Sequence, residues 1–110
     1  MQKLIIRLLF ILAGMAFANV YGHNITFNHL TTDNGLSQFS VNSLYIDESG
    51  MLWIGTREGL NRYNGYEFKH FFHDKNDSLS LDNDMIYSLF LDSRHQLWVG
   101  TSTGINRYDF

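Results

Sequence analysis

The chain has 110 residues, no cysteine, and eight Lys and Arg against eleven Asp and Glu. The missing cysteine excludes disulfides, thiolate metal sites and a cysteine nucleophile, and the acidic balance disfavours a nucleic-acid partner. Two Trp, six Tyr and nine Phe suit half-buried strands better than a disordered or helical chain.

Residues 1–18 read as a signal peptide helix. Lys3 and Arg7 give a positive start, residues 8–18 an apolar run, and Ala16-Phe17-Ala18 an A-x-A site with cleavage before Asn19. The run falls short of the roughly 20 residues of a spanning helix, and no second one follows, so no membrane span is expected after cleavage. Cleavage leaves six Lys and Arg against eleven acidic residues, a formal charge of about −5. Residues 19–40 form a lead-in, with a lone strand expected at 25–30 and a turn cluster at Thr32-Asp33-Asn34-Gly35.

A strand is expected over 41–47, where Val41, Ser43 and Tyr45 alternate with Asn42, Leu44 and Ile46. Asp47-Glu48-Ser49-Gly50 makes the turn, with the Asp accepting from backbone N–H groups and the Gly free to take a positive φ. A second strand at 52–56, a turn at 57–59, a third strand at 60–63, an Asn64-Gly65 hairpin signal and an outer strand at 66–73 complete a four-stranded meander. Residues 73–84 are polar and loop-like.

From 86 onward the pattern returns at an offset of 45 residues without a gap, and eleven of 25 aligned positions are identical. Leu52-Trp53-Ile54-Gly55-Thr56 matches Leu97-Trp98-Val99-Gly100-Thr101, and Gly59-Leu60-Asn61-Arg62-Tyr63 matches Gly104-Ile105-Asn106-Arg107-Tyr108. The second copy has His95 where Gly50 stood, so the same hairpin is expected there with a costlier turn. A repeat of this length is one blade of a β-propeller. The predicted fold is all-β, a partial β-propeller after the signal peptide. Residues 41–85 form a four-stranded blade with its connecting loop, and 86–110 about three strands of a second, incomplete blade.

The two copies resemble the two-component-regulator propeller repeat, whose hallmark is a strand ending in Asp, then L-W-I-G-T, then G-L-N-R-Y. Asn34-Gly35-Leu36-Ser37 and Ser78-Leu79-Ser80 are similar to the lead-ins of that family, and the resemblance covers residues 25–110. It implies the N-terminal periplasmic part of a hybrid two-component sensor histidine kinase. In such a protein the propellers sense oligosaccharides, and the kinase lies elsewhere in an inner-membrane chain that acts as a homodimer.

Residues fixed in both copies are expected to build the scaffold, because a ligand meets different blades at different points. These are Asp47, Trp53, Gly55, Asn61, Arg62 and Tyr63 in the first copy, and Asp92, Trp98, Gly100, Asn106, Arg107 and Tyr108 in the second, and Gly50 of the first turn joins them as scaffold. Each Trp is therefore expected to pack between blades and not to stack on a sugar. Ligand contacts are expected from positions the repeat leaves free: Arg57, Glu58, Tyr66, His70 and His73, with Ser102 and Thr103 in the second copy. The oligosaccharide would be shared with further blades or a second subunit.

His70 and His73 would face opposite sides of a strand. Asp74-x-Asn76-x-Ser78 has Leu79 where a calcium loop needs glycine and Met85 where it needs glutamate. No metal, cofactor or catalytic residue is therefore expected. The rival readings are an exported glycan-active or scaffold propeller, suggested by the sialidase-like Asp47, Gly50, Trp53 turn, and a truncated gene product without function of its own. Open strand edges would make the isolated piece marginally stable and prone to associate.

Overall fold

In the computed structural model, which describes residues 24–110, the chain forms two antiparallel meanders. The expected signal peptide lies outside the described residues. The first sheet runs in the order β1 (Val41–Ile46), β2 (Leu52–Thr56), β3 (Gly59–Tyr63) and β4 (Phe68–Phe71). The second runs β5 (Ile86–Leu91), β6 (Leu97–Thr101), β7 (Ile105–Tyr108). Among the described residues no helix is long and apolar enough to cross a membrane.

The register repeats with the sequence. Tyr45 pairs with Trp53 and Phe90 with Trp98, while Ile54 pairs with Asn61 and Val99 with Asn106. Each first strand also shifts register at the same place, between Val41 and Ser43 and between Ile86 and Ser88, a bulge that turns the strand edge. The two turns at 47–51 and 92–96 are the same as well. His95 takes the left-handed conformation of Gly50, with φ 61° against 84°.

Pleating divides each sheet into two faces. In the first sheet Ser43, Tyr45, Trp53, Gly55, Leu60 and Phe71 share the front face, and the second sheet packs against it with Ile86, Leu97 and Val99 from its own back face. Trp53, Leu60, Ile86, Leu97 and Val99 form the core cluster, and all are fully buried. Gly55 is what lets the sheets close: a Cβ built on it would lie 2.6 Å from Ile86 Cγ2.

Residues 25–30 are not a strand. They are exposed, and no ladder includes them, because alternation marks a segment fit to join a sheet and cannot supply the edge it joins. After them a 3-10 turn at Thr32–Asn34, capped by Thr31, delivers Leu36 to the back of the first sheet. The outer strand is shorter than expected, four residues in place of 66–73, because Asn64 Oδ1 accepts from the N–H groups of Tyr66 and Glu67 and holds them in the turn.

Candidate functional site

The repeated polar residues are consumed by the fold. Asp47 Oδ1 accepts from Ser49 N (2.9 Å) and Met51 N (3.0 Å), and its Oδ2 accepts from Trp53 Nε1 (2.9 Å). Asp92 repeats this with Arg94 N, Gln96 N and Trp98 Nε1. One carboxylate thus closes the turn and fixes the indole. Burial, the largest influence on Asp47, raises its pKa, but the bonds from Ser49, Trp53 and Met51 together hold it below the ordinary carboxylate value. The Trp98 indole leads the same effect at Asp92.

Asn61 and Asn106 fasten the chain that enters each sheet. Ser37 N donates to Asn61 Oδ1 (3.0 Å) while Asn61 Nδ2 donates to Ser37 Oγ (2.7 Å). In the second sheet Asp82 takes the place of Ser37, its N donating to Asn106 Oδ1 (3.1 Å) and its Oδ1 accepting from Asn106 Nδ2 (2.7 Å). Asp82 also accepts from the hydroxyls of Thr101 and Thr103, and these bonds, Thr101 first, hold its carboxyl below the usual range. The true lead-in of the second copy is therefore Leu81-Asp82, 45 residues after Leu36-Ser37, and not Ser78-Leu79-Ser80. The role of Asp82 escaped the sequence reading, although extending the repeat alignment upstream of Val41 would have exposed it.

Trp53 lies between the sheets, with its ring 4.9 Å from Tyr108 edge-on and 5.8 Å from Phe71 in a stack. Arg62 crosses the same interface, with Nη1 donating to Tyr108 OH (3.2 Å) and its guanidinium 5.4 Å from the Trp53 ring centre. Trp98 and Arg107 are built alike, 6.0 Å apart, but among the described residues their face carries no further sheet, and Trp98 is only partly buried.

The candidate ligand residues separate into two ends. Arg57 and Glu58, in the β2–β3 turn, lie at the same end of the strands as His70, His73, Ser102 and Thr103. Tyr66, in the β3–β4 turn, stands at the opposite end, 91% exposed. Within the first group the histidines are engaged: His70 Nε2 meets Gly35 O, and His73 Nδ1 meets Leu81 O at 2.7 Å. Thr103 is held by Asp82. Arg57, Glu58 and Ser102 are exposed, and among the described residues their side chains make no hydrogen bond or ion pair.

No group of three or more His, Cys, Asp or Glu among the described residues is placed to hold a metal ion. In the 74–80 loop Asp74 Oδ1 accepts from Asn76 N and Asp77 Oδ1 from Leu79 N, so each carboxylate closes its own turn.

Residues 34–58 and 80–103 match the two component regulator propeller family. Histidine kinase P4 of Formosa agariphila is 43% identical over 58 residues, which cover 53% of this chain and 4% of that kinase. Among solved structures, the extracellular domain of a hybrid two component system of B. thetaiotaomicron superimposes with a TM-score of 0.67 at 28% identity, covering 74% of this chain and 12% of the other. A second extracellular domain from that organism, also described as belonging to a hybrid two component system, gives 0.59 at 36% identity over 64% of this chain and 10% of the other. The chain thus spans a small part of each relative it matches. Its two sheets are successive copies of the two-component regulator propeller repeat, and it is built as neighbouring blades of that family's β-propeller.

Proposed function

We propose that the chain supplies two blades of the exported sensor propeller of a hybrid two-component system, and that it works by binding an oligosaccharide and not by catalysis. The observation that carries this is the division of labour among polar groups. Every repeated Asp and Asn is saturated by the fold, while Arg57, Glu58 and Ser102, which the repeat does not fix, stand free at one end of the strands. Charged groups there suit vicinal hydroxyls, and Leu60-Asn61-Arg62-Tyr63 fits the regulator repeat better than a sialidase-like propeller. The matches to extracellular domains support export, and the Ala16-Phe17-Ala18 site supports signal removal before Asn19. Kinase activity, the membrane anchor and a homodimeric assembly belong in this reading to the rest of a longer sensor.

The test is an NMR titration of the ¹⁵N-labelled chain with a panel of plant and algal oligosaccharides. A binding sugar is expected to shift the amides of Arg57, Glu58 and Ser102 and to leave Tyr66 unmoved. Arg57→Ala is expected to weaken binding about tenfold, the loss of one charge-assisted hydrogen bond. Hydrolysis of the sugar, or shifts confined to the Tyr66 end, would sink the proposal. N-terminal sequencing of the exported chain, expected to begin at Asn19, checks the export step.

A further inference from the structure

The junction between the two sheets fastens the β2–β3 turn and the β6–β7 turn to one shared segment of backbone. Gly59 N, next to Glu58, donates to Asp84 O (2.6 Å), and Ser102 N donates to Met85 O (3.2 Å). Asp84 and Met85 are consecutive, so one turn of each sheet hangs on adjacent carbonyls of the segment that enters β5. That segment is fixed in its own right: Asp84 Oδ1 accepts from His73 N (2.6 Å), and Met85 N donates to Asn83 Oδ1 (2.9 Å). Arg57 N is held by Ser40 O (3.2 Å), the counterpart of Met85 O. The two turns are therefore set at a defined spacing, at a junction whose two sheets both belong to this chain.

The free side chains fall on both sides of this segment. Among the described residues Arg57 and Glu58 put one unpaired charge of each sign on the first turn. Ser102 puts a neutral hydroxyl on the second, where Thr103 is engaged by Asp82. Backbone segments in hydrogen-bonded contact lie about 5 Å apart, so turns on two sides of residues 84–85 stand about 10 Å apart. One pyranose ring does not reach across that gap, and two joined rings do.

We propose that a single oligosaccharide of at least two units bridges the blade junction, one unit on Arg57 and Glu58 and another on Ser102. This rests on the oligosaccharide reading above and adds to it a minimum ligand length and one site shared by two blades. Arg57 donates to oxygens of the first unit, Glu58 accepts from its hydroxyls, and Ser102 makes a neutral hydrogen bond to the second. Once the charged end is bound the second contact is intramolecular, so the fixed spacing favours a ligand that spans it over one that does not.

The ¹⁵N-labelled chain is titrated with gluco-, xylo- and galacturono-sugars, each as monosaccharide, disaccharide and tetrasaccharide. The disaccharide or tetrasaccharide of a binding series is expected to shift Glu58 and Ser102 with one common dissociation constant, and its monosaccharide to bind at least about tenfold more weakly. In Arg57→Ala the Ser102 amide is expected to weaken by the same factor of about ten as the Glu58 amide. In Ser102→Ala the Glu58 amide is expected to weaken about fivefold. The bridge is overturned by a Ser102 titration that keeps its wild-type constant in Arg57→Ala, by shifts that stop at the first turn, or by a monosaccharide as tight as its disaccharide. Each of those results leaves sugar binding at a single turn standing. If no sugar moves either turn, the bridge and the reading it rests on fall together.

Discussion

Asp47 and Asp92 each join a turn to an indole, and this gives the protein a pH signature. Their carboxyls, with that of Asp82, are held below the ordinary value of 3.8. A folded pKa lower than the unfolded one contributes stability that is present above the unfolded pKa and lost as pH falls through the folded one. The thermal midpoint is therefore expected to be level above about pH 5 and to fall steadily below about pH 4, with a shallower fall in Asp92→Asn when both are followed by circular dichroism. His95 offers the opposite test. A left-handed φ of 61° strains a residue with a Cβ by about 1 kcal/mol, and the exposed contact of His95 Nδ1 with Glu48 Oε1 at 2.9 Å returns little of that. His95→Gly is expected to stabilise the chain by about 0.5 kcal/mol after the added unfolded-state entropy is counted. A lower denaturation midpoint in urea would contradict it.

Between the sheets, two equivalent tryptophans separate by environment. Trp53 is fully buried, so Trp53→Ala is expected to cost about 3–5 kcal/mol, and the partly exposed Trp98 clearly less on the same change, both read by urea denaturation. Gly55→Ala would drive a methyl into Ile86 and the Ser43 hydroxyl, an overpacking of about 1–3 kcal/mol. Ser43 Oγ is itself buried without a partner, so Ser43→Ala is expected to be neutral or stabilising by up to about 1 kcal/mol. A loss above that would show a bond to the hydroxyl that the structure lacks. The strands and turns at these positions were legible from alternation and from the 45-residue offset, which carried even the register, because local pairing follows local pattern. Whether residues 25–30 pair was not legible, since pairing needs an edge elsewhere. The difference between Trp53 and Trp98 was hidden for the same reason: identical residues in identical turns differ only in what the next sheet covers.

For the whole molecule, the repeat fixes the stacking direction. The front of one sheet takes the back of the next, with Ile86 over Gly55, Tyr108 against Trp53 and Arg62, and Asn42 Nδ2 donating to Ile86 O at 2.8 Å. Repetition made the scaffold readable but not the ligand residues. Of those expected from sequence, Tyr66 lies at the far end and both histidines bind backbone carbonyls, partners that no side-chain pattern reveals. The stacking of neighbouring blades is tested most directly by nuclear Overhauser effects within the chain. Cross-peaks from the Gly55 α-protons to the Ile86 methyls and from the Trp53 indole to the Tyr108 ring are expected. Cross-peaks confined to each sheet, with the Ile86 methyls touching nothing in the first, would contradict it.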